Sequence, residues 1–202
     1  MPRPVVADAD VLFAGTTRAF LIYLDFQRVI HLHWSPLILK EAHDALVDTG
    51  RKTRAEAEKH MLLLDKSLPG ASVPTLEVQA SYRLAYPGVS QPKDLHVAAC
   101  AAALLAGRYY ADPEVWLVTK NGADFRTKVL TTLGIKLRHP DTFLLELWNN
   151  DPVGVAAAFH AMRLRLKSKP TVNQLLDKLA RDSQHRIAAA LLAAHVAGSA
   201  AL

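Results

Sequence analysis

The chain of 202 residues contains a single cysteine, Cys100, which excludes an internal disulfide framework and a multi-cysteine zinc site. It has no apolar stretch of membrane-spanning length, and no basic segment followed by an apolar run at its start. Only 21% of the residues are charged and 50% are hydrophobic, which is typical of a chain with a sizeable core and not of a disordered one. We therefore expect a soluble, cytoplasmic protein with one domain, or one domain and a helical appendage.

Aromatic residues are also scarce, at 7% of the chain. The three tryptophans, Trp34, Trp116 and Trp148, are scattered in apolar surroundings, which favours core packing over base stacking. Cys100 lies in an apolar run and is interpreted as a small buried hydrophobic residue. The formal charge of +5 and the pI of about 9.4 favour a polyanionic partner such as RNA, although many basic proteins bind no nucleic acid.

Short apolar runs alternate with segments of helical periodicity over the first three quarters of the chain. The runs at 5–7, 29–33, 115–119 and 135–138 predict strands, and the segments at 36–46, 53–64, 93–106 and 141–147 predict helices. Such alternation implies right-handed crossovers and a short parallel sheet with helices on both faces, an α/β sandwich of three layers. In sheets of this kind ligands bind beyond the carboxyl ends of the strands.

From Asp151 onward the pattern is only helical, with helices predicted at 152–166, 171–180 and 187–196. We therefore predict a domain over residues 1–148 and a C-terminal helical extension over 149–202. The Ala/Leu-rich faces of these helices need a partner surface. Packing onto the core of the domain is the preferred interpretation, and a protein-interaction arm is the alternative.

Acidic residues follow predicted strands or lie in predicted helices in four separated parts of the chain. Carboxylate oxygens are the ligands of hard cations such as Mg²⁺, which nucleases use to generate hydroxide and to stabilise the oxygens at phosphorus. The candidates are Asp8, Asp10, Glu41, Asp94 and Asp124, with Thr119 and Asn121 as polar accessories.

Each of these acids also has an ordinary structural interpretation. Asp8, Asp10 and Asp124 lie where helix caps are found, and Asp94 suits the dipole of a first helical turn. Glu41 would by default lie on a solvated helix face, and spacing alone does not fix its direction. Individually, none of the five acids identifies a site.

Taken together, the motifs resemble the PIN-domain ribonucleases, including the VapC-like toxins of bacterial toxin–antitoxin pairs. The resemblance rests on residues 5–12, 94–101 and 117–125, with Trp34 and Ser35 ahead of Glu41 and with residues 139–145. Each motif is weak alone, whereas their order along the chain is specific. The fold implied is a PIN-like α/β sandwich, and one bacterial subgroup of the family carries a helical tail, so the resemblance covers nearly the whole chain.

The resemblance implies roles for individual residues. Asp8, Glu41, Asp94 and Asp124 match the four acids of the family, of which Asp8, Asp94 and Asp124 would hold one or two Mg²⁺ or Mn²⁺ ions. Thr119 and Asn121 match polar positions that order the acids or the waters of the metal. Asp10 departs from the family, because an Asn is usual there, and so does Lys93, which stands where the subgroup often has an acid.

The function implied is a metal-dependent endoribonuclease, the toxin of a type II toxin–antitoxin pair. RNA would be the substrate, and a cognate antitoxin and a second copy of the chain would be partners, with the helices around residues 37–64 as candidates for the dimer surface. Basic residues near the acids are candidates for binding RNA phosphates, although each is by default a solvated side chain: Lys40, Lys93, Lys120, Arg126 and Lys128.

Two other functions remain open at this point. A structure-selective DNA nuclease would use the same acids. A catalytically silent module that binds RNA or protein is the other, but such a module has no need to keep mutually repelling carboxylates together.

Overall fold

The computed structural model describes residues 2–107, 110 and 114–202. Within this part of the chain one sheet has four strands, ordered β2-β1-β3-β4. Strand β1 pairs in parallel with β3, and β3 in parallel with β4. The strands are β1 (Arg3–Ala7), β2 (Ile30–His33), β3 (Val115–Val118) and β4 (Ile135–Arg138).

The helices lie between the strands and fill the chain after β4. They are α1 (Ala9–Phe13), α2 (Gly15–Phe26), α3 (Pro36–Asp48), α4 (Arg54–Ser67), α5 (Thr75–Ala80), α6 (Tyr82–Ala85), α7 (Leu95–Ala106), α8 (Thr127–Thr132), α9 (Pro140–Asn150), α10 (Pro152–Arg165), α11 (Val172–Arg181) and α12 (His185–Val196). Short 3-10 helices occur at Tyr86–Gly88, Pro92–Asp94 and Gly122–Asp124.

Local capping chemistry explains where several helices begin. Ser35 accepts a hydrogen bond from the backbone N–H of Ile38, and Pro36 occupies the first turn of α3, where no backbone donor is needed. Thr53 and Glu56 form a reciprocal capping box at the start of α4. These helix starts follow directly from the residue types at those positions.

Residues 3–13 and 31–138 form one compact unit, which contains most of the sheet. All four residues of β3 are buried, as expected for a strand inside a parallel sheet, and α7 packs against β1 and β3. Trp34, Trp116 and Cys100 are buried, which confirms their predicted place in the core. We call this part the sheet unit.

Residues 14–30 and 139–202 belong to a second compact unit, the helical unit. Helix α2 packs against α10 and α11, and α12 packs against α9 and α11. The rings of Phe20 and Phe159 meet edge to face at 5.8 Å, and both side chains are buried. Trp148 is only partly buried, in contrast to the core position predicted for it. The predicted boundary after residue 148 stays a prediction.

The structure confirms the α/β class, the short parallel sheet with flanking helices and the helical C-terminal region, and it agrees with a PIN-like fold. Three details differ from the prediction. Helices α5 and α6 were not predicted; the helix expected from residue 93 begins only at Leu95; and Asp124 ends a 3-10 turn, with α8 beginning at Thr127. Within the described residues, none of the helices combines the length and the apolar character that crossing a membrane requires.

Candidate active site

The site begins where two paired strands end side by side. Ala7 of β1 is in register with Val118 of β3, so the next residues, Asp8 and Thr119, leave the sheet at the same edge. The Thr119 hydroxyl donates a hydrogen bond of 2.7 Å to Oδ2 of Asp8, and the backbone N–H of Ala9 donates to Oδ1 over 2.6 Å. Both side chains are buried, which fixes the Asp8 carboxylate at the carboxyl end of the sheet.

Asp10 follows two residues later, in the first turn of α1, and shares the Thr119 hydroxyl. Its Oδ2 accepts a hydrogen bond of 2.9 Å from the backbone N–H of Lys120 and lies 3.3 Å from Oγ1 of Thr119. Its Oδ1 is buried and has no hydrogen-bond partner among the described residues. Asn121 contributes its backbone N–H, which donates to Oγ1 of Thr119 over 3.0 Å, while its side chain is exposed.

Asp94 occupies the N-cap position of α7 without making a capping hydrogen bond. Its residue exposure is 9%, and its Oδ2 is buried and meets no hydrogen-bond partner in the part of the chain that the structure describes. An aspartate whose only task was to cap the helix would accept a bond from a first-turn N–H. Asp94 therefore does not act as a side-chain cap of α7, and its position at the helix N-terminus still agrees with the dipole interpretation.

Asp124 does not cap a helix either, because the N-cap position of α8 is Arg126. Its carboxylate oxygen Oδ2 lies 3.8 Å from Nζ of Lys93, and the exposed fractions of the two side chains are 26% and 67%. Lys93, one of the two departures from the family pattern, thus partners a predicted metal ligand.

Glu41 points toward the other acids, a direction that helical spacing did not settle. Its Oε2 lies 3.1 Å from Nε2 of His96 on α7, and its charge acts on both Asp8 and Asp94. His96 is a site residue that the sequence interpretation did not include. The only signal in the sequence was its position two residues after Asp94, in the first turn of the same helix.

Both ring nitrogens of His96 face atoms that only accept hydrogen bonds. Nδ1 lies 2.9 Å from the carbonyl oxygen of Lys93, and Nε2 faces the Glu41 carboxylate. An imidazole that donates from both nitrogens is protonated. Burial opposes this charge, but the hydrogen bond and charge of Glu41 outweigh it and raise the pKa of His96 above its ordinary value.

Burial and mutual repulsion raise the pKa values of the clustered acids. Desolvation is the largest cause for Asp8, Asp10 and Asp94. The charge of Glu41 adds to the shift at Asp8, and the charges of Asp124, Asp8 and Glu41 add to it at Asp94. Burial and the neighbouring Asp8 raise the pKa of Asp10 to about 7. A cation among these groups would reverse this effect.

The oxygen atoms at this edge suit a hard divalent cation. The buried, unpartnered oxygens of Asp10 and Asp94 are carboxylate donors with free lone pairs. Within the described ranges, no group of three or more His, Cys, Asp or Glu side chains is placed so that it could hold a metal ion. Mg²⁺ needs no such group, because it is usually held through one or two carboxylates and keeps several waters. The residues present therefore fit Mg²⁺ or Mn²⁺.

The basic candidates differ in how exposed they are and in the groups they contact. Lys120 is partly buried and its charge lowers the pKa of Asp10, whereas Arg126 and Lys128 are exposed. Lys40 forms an exposed ion pair with Asp44 at 2.6 Å. Exposed pairs of this kind contribute little stability, so Lys40 can exchange Asp44 for a phosphate.

The C-terminal part of the chain matches a known protein family. No curated protein and no solved structure matches the chain. Residues 140–193 match the family model described as the VapC50 C-terminal domain. This segment covers α9, α10 and α11 and most of α12. The C-terminal part of the chain is thus similar to the C-terminal domain of a VapC-type protein.

Proposed function

We propose that this chain is a metal-dependent endoribonuclease and the toxin component of a type II toxin–antitoxin pair. The observation that carries the nuclease proposal is the convergence of Asp8, Glu41 and Asp94, with Asp124, whose charges act on one another although they come from four separated segments. Such mutual repulsion has no structural benefit and suits a site that takes up a cation. The match of residues 140–193 supports the toxin assignment.

Asp8, Asp94 and Asp124 would hold Mg²⁺ or Mn²⁺. When bound, the ion would lower the pKa of a water and neutralise charge at phosphorus. The Thr119 hydroxyl donates a hydrogen bond to the Asp8 carboxylate, which would keep this metal ligand in one orientation. Asp10 and Asn121 lie next to these groups and act on them through Thr119.

Glu41 would orient the attacking water through its free oxygen. His96 engages Oε2 of Glu41, which leaves Oε1 to accept a proton from that water. Lys40, Lys93, Lys120 and Arg126 would bind RNA phosphates on either side of the scissile bond. An antitoxin and a second copy of the chain would be the protein partners.

Cleavage of a single-stranded RNA with Mn²⁺ or Mg²⁺ tests the proposal. We expect Asp8→Asn and Asp94→Asn to lower the rate by about 100-fold or more, because each removes a charged metal ligand. Asp48→Asn is the matched control, since Asp48 is an exposed acid of α3 with no place in the site. Equal rates in all three variants, or cleavage of DNA but not of RNA, would contradict the proposal. Sequencing RNA ends after induced expression identifies the target.

A further inference from the structure

A cleft of about 300 Å³ opens beside the acid cluster in the sheet unit. Glu41, Lys93 and His96 line it, and these residues also belong to the acid cluster or contact it. Any ligand in this cleft therefore lies against the groups that would perform the reaction. The volume is at the lower end of ligand sites, which suits one nucleotide unit better than a longer segment.

The lining of the cleft divides into an apolar part and a charged part. Leu37, Pro92 and Leu95 contribute apolar surface, and Tyr82 of α6 contributes a partly buried aromatic ring. Lys40 and Lys93 also line the cleft, with side chains that are 72% and 67% exposed. A ligand that satisfies both parts has a flat apolar face and carries negative charge.

We propose that this cleft binds the base of one unpaired nucleotide next to the scissile phosphate, with the ring of Tyr82 as the stacking surface. The proposal rests on the proposed ribonuclease function. The phosphates of the same nucleotide lie at Lys40 and Lys93.

This arrangement gives the site a preference for single strands. A base can enter the cleft only when it is neither paired nor stacked in a helix, which selects loops and unpaired ends of RNA. Stacking is tolerant of sequence, because every base has an aromatic face. Tyr82 thus contributes affinity for an unpaired base without selecting among the bases.

Substitutions of Tyr82 separate stacking from packing. Tyr82→Phe keeps the aromatic ring, whereas Tyr82→Leu keeps apolar bulk without a ring. Tyr86→Leu is the matched control, because Tyr86 lies four residues away, is 58% exposed and does not line the cleft. Thermal melting, monitored by circular dichroism, verifies that all three variants fold.

Two readouts are measured for each variant. The first is the binding, in EDTA and low salt, of an RNA oligonucleotide that contains one 2-aminopurine. The fluorescence of this base decreases when it stacks on another ring. The second is kcat/KM for cleavage of a single-stranded RNA with Mn²⁺. We expect Tyr82→Leu to weaken binding and to lower kcat/KM by about 5- to 100-fold. Tyr82→Phe and Tyr86→Leu should stay close to the unmodified protein.

The outcomes distinguish this inference from the ribonuclease proposal. If the unmodified protein cleaves RNA and Tyr82→Leu binds and cleaves equally well, the base site is wrong and the ribonuclease proposal stands. If nothing is cleaved but 2-aminopurine is quenched in all except Tyr82→Leu, the base site stands without the ribonuclease. Equal losses in Tyr82→Leu and Tyr86→Leu would overturn the base site.

Discussion

At the scale of single residues, the feature that organises the site is the Thr119 hydroxyl. It donates to Asp8, lies near Asp10 and accepts from the backbone of Asn121. A hydroxyl has one proton, and the shorter distance assigns it to Asp8. Asp10 is left with a buried oxygen that no donor of the described residues reaches, and the charge of Asp8 lies beside it. Within the cluster, Asp10 is therefore the acid whose ionised form is stabilised least by its surroundings.

We predict that Asp10→Asn stabilises the metal-free protein at pH 8 by roughly 1–3 kcal/mol. The folded-state pKa of Asp10 is about 7, above its ordinary value of 3.8. The folded protein therefore binds this proton more tightly than the unfolded chain, and stability falls as the pH rises from about 4 to 7. An asparagine still accepts from Lys120 and carries no charge.

Thermal melting in EDTA at pH 5 and pH 8 measures this effect. The gain in melting temperature should be largest at pH 8 and clearly smaller at pH 5, where Asp10 is protonated in the folded protein. Asp48→Asn, on an exposed acid, should change neither value. A gain of the same size at both pH values would show that the charge of Asp10 is not the cause.

Much of the site was predictable at the residue scale, and some of it was not. Asp8 and the Thr119–Asp124 segment follow strands that hydrophobicity identifies, so their shared edge could be inferred. The contact between Glu41 and His96 joins residues 55 positions apart on two helices, and no local pattern encodes how those helices face each other. For the same reason the direction of Glu41 could not be fixed.

At the scale of elements, prediction succeeded where a segment has a distinct period or cap. Strand β4 and the start of α3 at Ser35 and Pro36 agree with the prediction. Helices α5 and α6 were missed because they have six and four residues, too few to show a helical period. Leu76 of α5 is moreover 80% exposed, which blurs any apolar face.

Two helices of the helical unit are capped by acids that are distant in sequence. Asp141 accepts hydrogen bonds from the backbone N–H groups of Arg186 and Ile187, at 3.0 to 3.1 Å, at the start of α12. Asp182 accepts from the N–H groups of Thr16 and Thr17, both over 2.9 Å, at the start of α2. Neither helix has a capping side chain of its own.

We predict that Asp141→Ala lowers the free energy of unfolding by about 1–2 kcal/mol, since it leaves two first-turn N–H groups without an acceptor. Asp141→Asn should cost less, because its amide oxygen can still accept. Asp177→Ala removes an exposed acid of α11 and serves as the control. Urea denaturation, monitored by circular dichroism, measures the free energy of unfolding of all three variants. A loss as large in Asp177→Ala as in Asp141→Ala would contradict the capping role.

At the scale of the whole molecule, the sheet unit and the helical unit are not consecutive in the chain. The helical unit takes residues 14–30 from the N-terminal part and combines them with residues 139–202. Three buried residues of α2, Phe20, Leu21 and Leu24, thus belong to a core completed by the C-terminal helices. The family match over residues 140–193 lies within this unit.

We therefore predict that residues 1–148 do not fold stably when produced alone. The truncation removes α10 and α11, so α2 loses the helices it packs against, including the ring of Phe159 against Phe20. Burial of side chains of this size contributes about 1.5–3 kcal/mol each, so the loss of three such contributions, roughly 4.5–9 kcal/mol, is comparable to the whole stability of a typical domain. The fragment should aggregate, or bind the dye ANS and melt without cooperativity.

The full chain with Phe159→Ala provides a graded version of this test. It should lose about 3–5 kcal/mol through the cavity it leaves. Val153→Ala on the same helix should lose little, because Val153 is 78% exposed. If residues 1–148 instead gave a soluble fragment with a sharp melting transition, the C-terminal helices would be an independent arm. Phe159→Ala would then leave the stability of the remainder unchanged, since α2 would not depend on α10.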